Sequence, residues 1–216
     1  MTFIEILTNS FPVLMQGLRM TLIISISSIF LAMVIGLVVS LMRLSGVKVL
    51  DIISKTYVDI IRGTPLIIQA FFLYFGLPDL LNFRIDNLTA GIIIMSLNAG
   101  AYMSEVFRGG ILSVPYGQTE AARSLGLSNA KTMRKVIIPQ AVKNMVPAFI
   151  NQMIISLKDT SLLSVIGLGE LTQRGQIVVA ATYNSFEIYF IIGVMYFVLI
   201  KLISLLGDYV ERKLKI

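Results

Sequence analysis

Apolar runs long enough to cross a bilayer alternate along this chain with short polar connections, and a crossing helix needs about 20 such residues. The pattern predicts a first span at Met20–Met42, a second at about Tyr57–Leu77 and a third from Leu88 to about Phe107. A shorter fourth follows at Val142–Leu157, and a last at Ile188–Gly207. Ahead of the first span, residues 1 to 17 are mixed, and Pro12 and Gly17 argue against a straight continuation into the bilayer. Pro65 interrupts the ladder of the second. The ten-residue run Leu162–Leu171 is too short for a crossing and fits a re-entrant or buried segment, with Gly167 and Gly169 permitting its turn. The fold class is therefore an all-α integral membrane protein in one domain, residues 1–216, with about five transmembrane helices and a re-entrant or broken segment near 158–171.

One polar stretch, Arg108 to Ala141, is the longest interruption between hydrophobic runs and is too patterned for a disordered linker. Good helix formers fill Gln118 to Leu125, and Gly126 stands where a helix stop belongs. Ser128 is placed to N-cap a second short helix, which Pro139 would terminate. Ala121, Ala122 and Leu125 fall along one side of the first helix, a small apolar face suited to docking.

Composition sharpens this picture. The 216 residues are 56% hydrophobic with a mean hydropathy of +0.85, above the roughly 45 to 50% apolar content of soluble domains. No Cys and no His occur, which removes disulfides, thiol nucleophiles and the usual transition-metal sites. The net charge of +6 is spread by connection rather than gathered in a stripe, so it reads as topology and not as a nucleic-acid surface. Twelve Lys and Arg residues fall on one side (Arg43, Lys48, Lys55, Arg108, Arg123, Lys131, Arg134, Lys135, Lys143, Arg212, Lys213, Lys215) and four on the other (Arg19, Arg84, Lys158, Arg174). That asymmetry predicts the N-terminus outside, the C-terminus inside, Arg108–Ala141 in the cytoplasm and Glu170–Glu187 outside. Along the first span Ala32, Gly36 and Ser40 recur every four residues, a row of small side chains for close helix packing.

Carboxylates, amides and hydroxyls remain for recognition. Asp59 and Arg62 are three apart and able to pair. Asn98, near the middle of the third span, shares a face with Tyr102 and Glu105; it either ties helices together or lines a path. Lys158, Asp159, Thr160 and Ser161 stand where the fourth span breaks. Their charges neutralise each other while the hydroxyls cap a helix, or the group meets a ligand. Glu105 and Asp159 sit beside no catalytic motif, and the chain is not read as an enzyme.

The stretch Glu120-Ala121-Ala122, three residues, Gly126, nine residues, then Val136-Ile137-Ile138-Pro139 resembles the EAA signature of ATP-binding-cassette importer permeases. Around it, RGTP at Arg62–Pro65, NAGAYMSEVFRGG at Asn98–Gly110 and KDTSLLSVIGLG at Lys158–Gly169 look like the permeases for polar amino acids and opines. The likeness spans roughly residues 15 to 210; Val136 and Ile138 depart mildly, keeping apolar bulk. It implies a bacterial or archaeal cytoplasmic-membrane permease moving polar amino acids by ATP-driven alternating access, with a basic amino acid preferred slightly over glutamine. The implied partners are an ATPase subunit, an extracellular solute-binding protein and a second permease copy, a homodimer by default although heterodimers occur. Gln118, Glu120, Ala121, Ala122, Leu125 and Gly126 become the coupling helix, and Asn98, Asp159, Thr160 and Ser161 the candidate substrate groups. No GxxxxGK[ST] loop occurs in the chain, so ATP and Mg would bind the partner, and no cofactor is expected here. A secondary transporter would need its own coupling-ion sites and usually internal repeats, and no convincing repeat is present. That class and a non-transporting membrane scaffold are the alternatives.

Overall fold

The computed structural model describes residues 3–214; Lys215, part of the basic C-terminal cluster, lies outside them. Among the described residues there is no strand. The first helix, α1, runs unbroken over Phe3–Leu44, 42 residues. Pro12 and Gly17 therefore do not separate an N-terminal segment from the span. The exposed Pro12 sacrifices one backbone bond, and the loss is offset where Ile6 and Leu14 bury against Leu171, Ile188, Ile191 and Ile192. Gly17 is a contact point: a Cβ there would stand 2.8 Å from the Leu171 Cα.

The second expected span is not one rod. α2 (Lys48–Gly63) stops at Thr64, whose extended backbone is what a following proline favours. Pro65 then caps α3 (Leu66–Phe71), which continues through a π turn, Phe72–Gly76, into α4 (Leu77–Leu81). The two arms, Lys48–Gly63 and Leu66–Leu81, meet at 107°. Among the described residues no ion pair joins Asp59 to Arg62; the Arg62 guanidinium instead lies over the Tyr102 ring, 5.2 Å from its centroid.

α5 (Asn87–Leu112) is capped by Asp86, whose carboxylate accepts the Thr89 N–H at 2.9 Å. That bond holds the exposed carboxyl below its ordinary range, so the cap is complete above the unfolded pKa and is lost as pH falls through the lowered one. The small-residue row of α1 meets α5. Ala32, Gly36 and Ser40 are buried, and a Cβ on Gly36 would lie 2.6 Å from the Met103 Cβ.

α6 (Tyr116–Ser124) ends in a Schellman motif: Gly126 has φ +79°, its N–H bonds the Arg123 carbonyl, and the Leu127 N–H bonds that of Ala122. Ser128 accepts the Lys131 N–H and caps α7 (Asn129–Thr132). Pro139 does not terminate it. A π turn at Met133–Ile137, with the Ile138 N–H bonded to the Met133 carbonyl, carries the chain into α8 (Ile138–Asp159), placing Pro139 in the opening turn of that helix. There a missing N–H costs little. α8 is 22 residues long, longer than Val142–Leu157, and passes through Pro147.

The expected break follows at once as a 3-10 helix, Thr160–Ile166, ended by Gly167 at φ +70°. Its Leu163 and Ile166, with Leu168, are buried in one apolar cluster with Ile24, Leu66, Ala70, Ile94 and Met95, so one face of this segment is core. α9 (Leu171–Thr182) and α10 (Ser185–Leu214) complete the chain. Three helices, α1, α5 and α10, are long and apolar enough to cross a membrane, and the bent α2–α4 pair makes up to four. α8, the remaining expected crossing, has the length but carries Lys143, Asn144, Asn151 and Gln152.

Candidate functional site

The bend between α2 and α3 frees backbone carbonyls, and such groups need partners. Gln69, one turn beyond Pro65, supplies them. Its Nε2 donates to the carbonyls of Ile61 (2.7 Å) and Thr64 (3.1 Å) and to the Thr64 hydroxyl (3.0 Å). Its Oε1 accepts the Asn98 Nδ2 at 3.0 Å, and Asn98 is only 7% exposed. Tyr57 adds a second tie, donating to the Leu97 carbonyl at 2.6 Å. A cavity of about 330 Å³ opens beside this network, lined by Ile61, Thr64, Ile68, Gln69, Phe72 and Leu97.

At the other break Thr160 is fully buried and donates to the Leu157 carbonyl, and Ser161 donates to that of Lys158, both at 2.7 Å. Both hydroxyls thus satisfy the loosened end of α8. Asp159 is part-buried beside them. No hydrogen bond joins Asn98 to the Asp159–Ser161 group; the two border the same apolar cluster, Ile94 and Met95 lying about a turn from Asn98 and Leu163 a turn from Thr160.

Glu170 does not belong to an exposed polar segment. It is fully buried, N-capping α9 through the N–H groups of Thr172 (2.9 Å) and Gln173 (2.7 Å) and accepting the Tyr196 hydroxyl at 3.0 Å. An acid directly before a helix start carries this signal in the sequence. The Leu171 N–H next to it donates to Thr21 of α1 at 3.1 Å.

The polar loop displays α6 outward. Gln118, Glu120, Ala121 and Gly126 are exposed, and Leu125 and Tyr116 are 83% and 74% exposed. Ala122 is not on that surface: at 5% exposure it is covered by the chain itself, so the apolar side is divided between inward Ala122 and outward Ala121 and Leu125. A large exposed leucine and tyrosine on a short, tightly capped helix form a surface suited to a partner.

Residues 32–216 match the model of the binding-protein-dependent transport system inner membrane components. The chain belongs to that family. The permease is 41% identical over 204 residues to the arginine transport system permease protein ArtQ of Bacillus subtilis (strain 168), covering 94% of this chain and 93% of the relative. It is 40% identical over 206 residues to the glutamine transport system permease protein GlnP of Escherichia coli (strain K12), covering 95% and 94%. Among solved structures, a crystal structure of an amino acid ABC transporter with histidines superposes with TM-score 0.94 at 38% identity over 99% of both chains. The inward-facing methionine transporter MetNI follows at 0.79 and 25%, over 94% of this chain and 97% of the other. The permease is thus a multi-pass component of a membrane transport system, and the relatives named above are permease subunits, not themselves enzymes.

Proposed function

We propose that this permease is the membrane subunit of an importer that moves a polar amino acid into the cell by alternating access, driven by ATP hydrolysis on a separate chain. The observation that carries it is the overlay on an amino acid ABC transporter across 99% of both chains. The arginine and glutamine named for its relatives support a basic amino acid or glutamine as cargo. ATP and Mg bind the ATPase partner, because this chain has no phosphate-binding loop. α6 docks on that partner through Glu120, Ala121 and Leu125. A second copy of the chain completes the path, a binding protein delivers the substrate outside, and the N-terminus faces out.

The substrate passes Asn98 and the Asp159–Ser161 break. An ammonium and a carboxylate entering a low-dielectric path need polar partners to replace hydration, and the polar groups meeting the path at its two helix breaks supply them. Asp159 attracts the ammonium or a basic side chain, while Asn98, Thr160 and Ser161 hydrogen-bond. In proteoliposomes, Asn98→Ala and Ser161→Ala are expected to raise the half-saturating substrate concentration about tenfold, the effect of losing roughly 1.4 kcal/mol of binding. Thermal unfolding of each variant separates this from lost stability at the Gln69 contact. Wild-type concentration dependence in both removes these residues from the site.

Orientation has its own test. Single cysteines in place of Asp79 or Asn184 are expected to react with an impermeant maleimide in intact cells. Reaction only after lysis overturns the N-out arrangement.

A further inference from the structure

Glu105 is the only acid along α5, and its two oxygens hold two different guanidiniums. Oε1 accepts from Arg43, one residue before the end of α1, and Oε2 accepts from Arg108 Nη2 at 2.8 Å and Nε at 3.3 Å. The Arg43 Nε reaches Asp51, in the first turn of α2, at 4.0 Å. All three members of the central set are largely shielded, with side chains 17%, 21% and 31% exposed for Arg43, Glu105 and Arg108. One carboxylate therefore joins the end of α1 to α5.

Its location gives this joint a use. Glu105 lies seven residues beyond Asn98 on α5, about 10 Å along the axis. Toward the other end, α5 stops at Leu112 and only three residues intervene before α6 begins at Tyr116. Arg108 stands one turn closer to α6 and Arg43 belongs to another helix, so a displacement of α6 passes from α5 to α1 through Glu105. Close packing higher up, at Gly36 against Met103, makes α1 and α5 a unit there. Without the carboxylate, the two arginines face each other and the lower ends are free to splay.

Resting on the importer reading above, we propose that Glu105 is a positioning residue for energy coupling: its bridge to Arg43 and Arg108 makes the lower ends of α1 and α5 move as one body with α6. A mere stabilising ion pair would lower the amount of folded protein without altering how much substrate moves per ATP.

The test uses the complete complex, with its ATPase and binding protein, in proteoliposomes supplied with labelled L-arginine, L-glutamine and L-histidine. The ratio of amino acid imported to ATP hydrolysed is read for wild type, Glu105→Gln, Arg43→Gln and the reversed pair Arg43→Glu with Glu105→Arg. The ratio is expected to fall about tenfold in each single variant, within the range of ordinary coupling effects, while hydrolysis continues. The reversed pair should recover most of it, because the carboxylate introduced at position 43 would then lie between the guanidinium introduced at position 105 and that of Arg108. A wild-type ratio in either folded single variant overturns the proposal, as does a reversed pair no better than the singles. Absence of ATP-driven uptake by the wild-type complex overturns the importer reading and this inference together.

Discussion

Glu120→Lys is expected to leave the permease in the membrane and to stop most ATP-driven uptake. Glu120 is exposed on a helix whose only buried residue is Ala122, so the bundle beneath has no reason to respond to the change. The expected docking partner does. Reversing one charge at an interface replaces an attraction with a repulsion, a change of about 2 to 5 kcal/mol where the contact is desolvated, or a loss of roughly thirtyfold or more in affinity. Leu125→Asp should act similarly, since an 83% exposed leucine is the apolar anchor such a surface offers. Gly126→Val reaches the same end by another route, forcing a branched side chain to φ +79°. Uptake at matched membrane levels checks all three. Wild-type rates in Glu120→Lys and Leu125→Asp would remove α6 from the mechanism.

Gly36→Val is expected to reduce folded protein itself. Membrane helices gain little from hydrophobic exclusion and rely on close packing. At Gly36 the new Cβ would lie 2.6 Å from the Met103 Cβ and 2.9 Å from the Ser104 backbone nitrogen, neither of which can rotate away. α1 must back off from α5, at about 1 to 3 kcal/mol or more for overpacking. Gly193→Val is the control, because nothing lies within 4 Å of a Cβ there. Heat-dependent loss of the monodisperse peak in detergent should come earlier for Gly36→Val than for Gly193→Val; equal thermal midpoints would contradict the packing account.

Local chemistry was the legible part of this chain. Gly126 and Ser128 announce the end of α6 and the start of α7, because a Schellman turn and an N-cap each depend on residues within one turn. The small row on α1 was legible for the same reason, as a face property of one helix. Both prolines read as stops, Pro12 and Pro139, stand inside or at the start of helices. A proline's cost depends on whether neighbouring packing or a π turn absorbs the missing bond, and neither appears in a linear pattern. Pro65 shows the converse: the interruption was visible, the 107° bend was not. Tertiary partners stayed hidden. Nothing near Gln69 names Asn98, and Arg43 is 62 residues from Glu105. The burial of Glu170 was hidden too, because the Tyr196 hydroxyl that donates to it is 26 residues away.

The central claim is that this chain moves an amino acid in a complex powered by a separate ATPase. The most direct measurement is ATP hydrolysis by the purified complex in lipid, with each common amino acid added in turn, alongside uptake of the same amino acids into vesicles. One or a few polar amino acids, arginine or glutamine among them, should stimulate hydrolysis and accumulate inside only when ATP is present. Accumulation driven by an ion gradient without ATP, or hydrolysis and uptake indifferent to every amino acid, would contradict it.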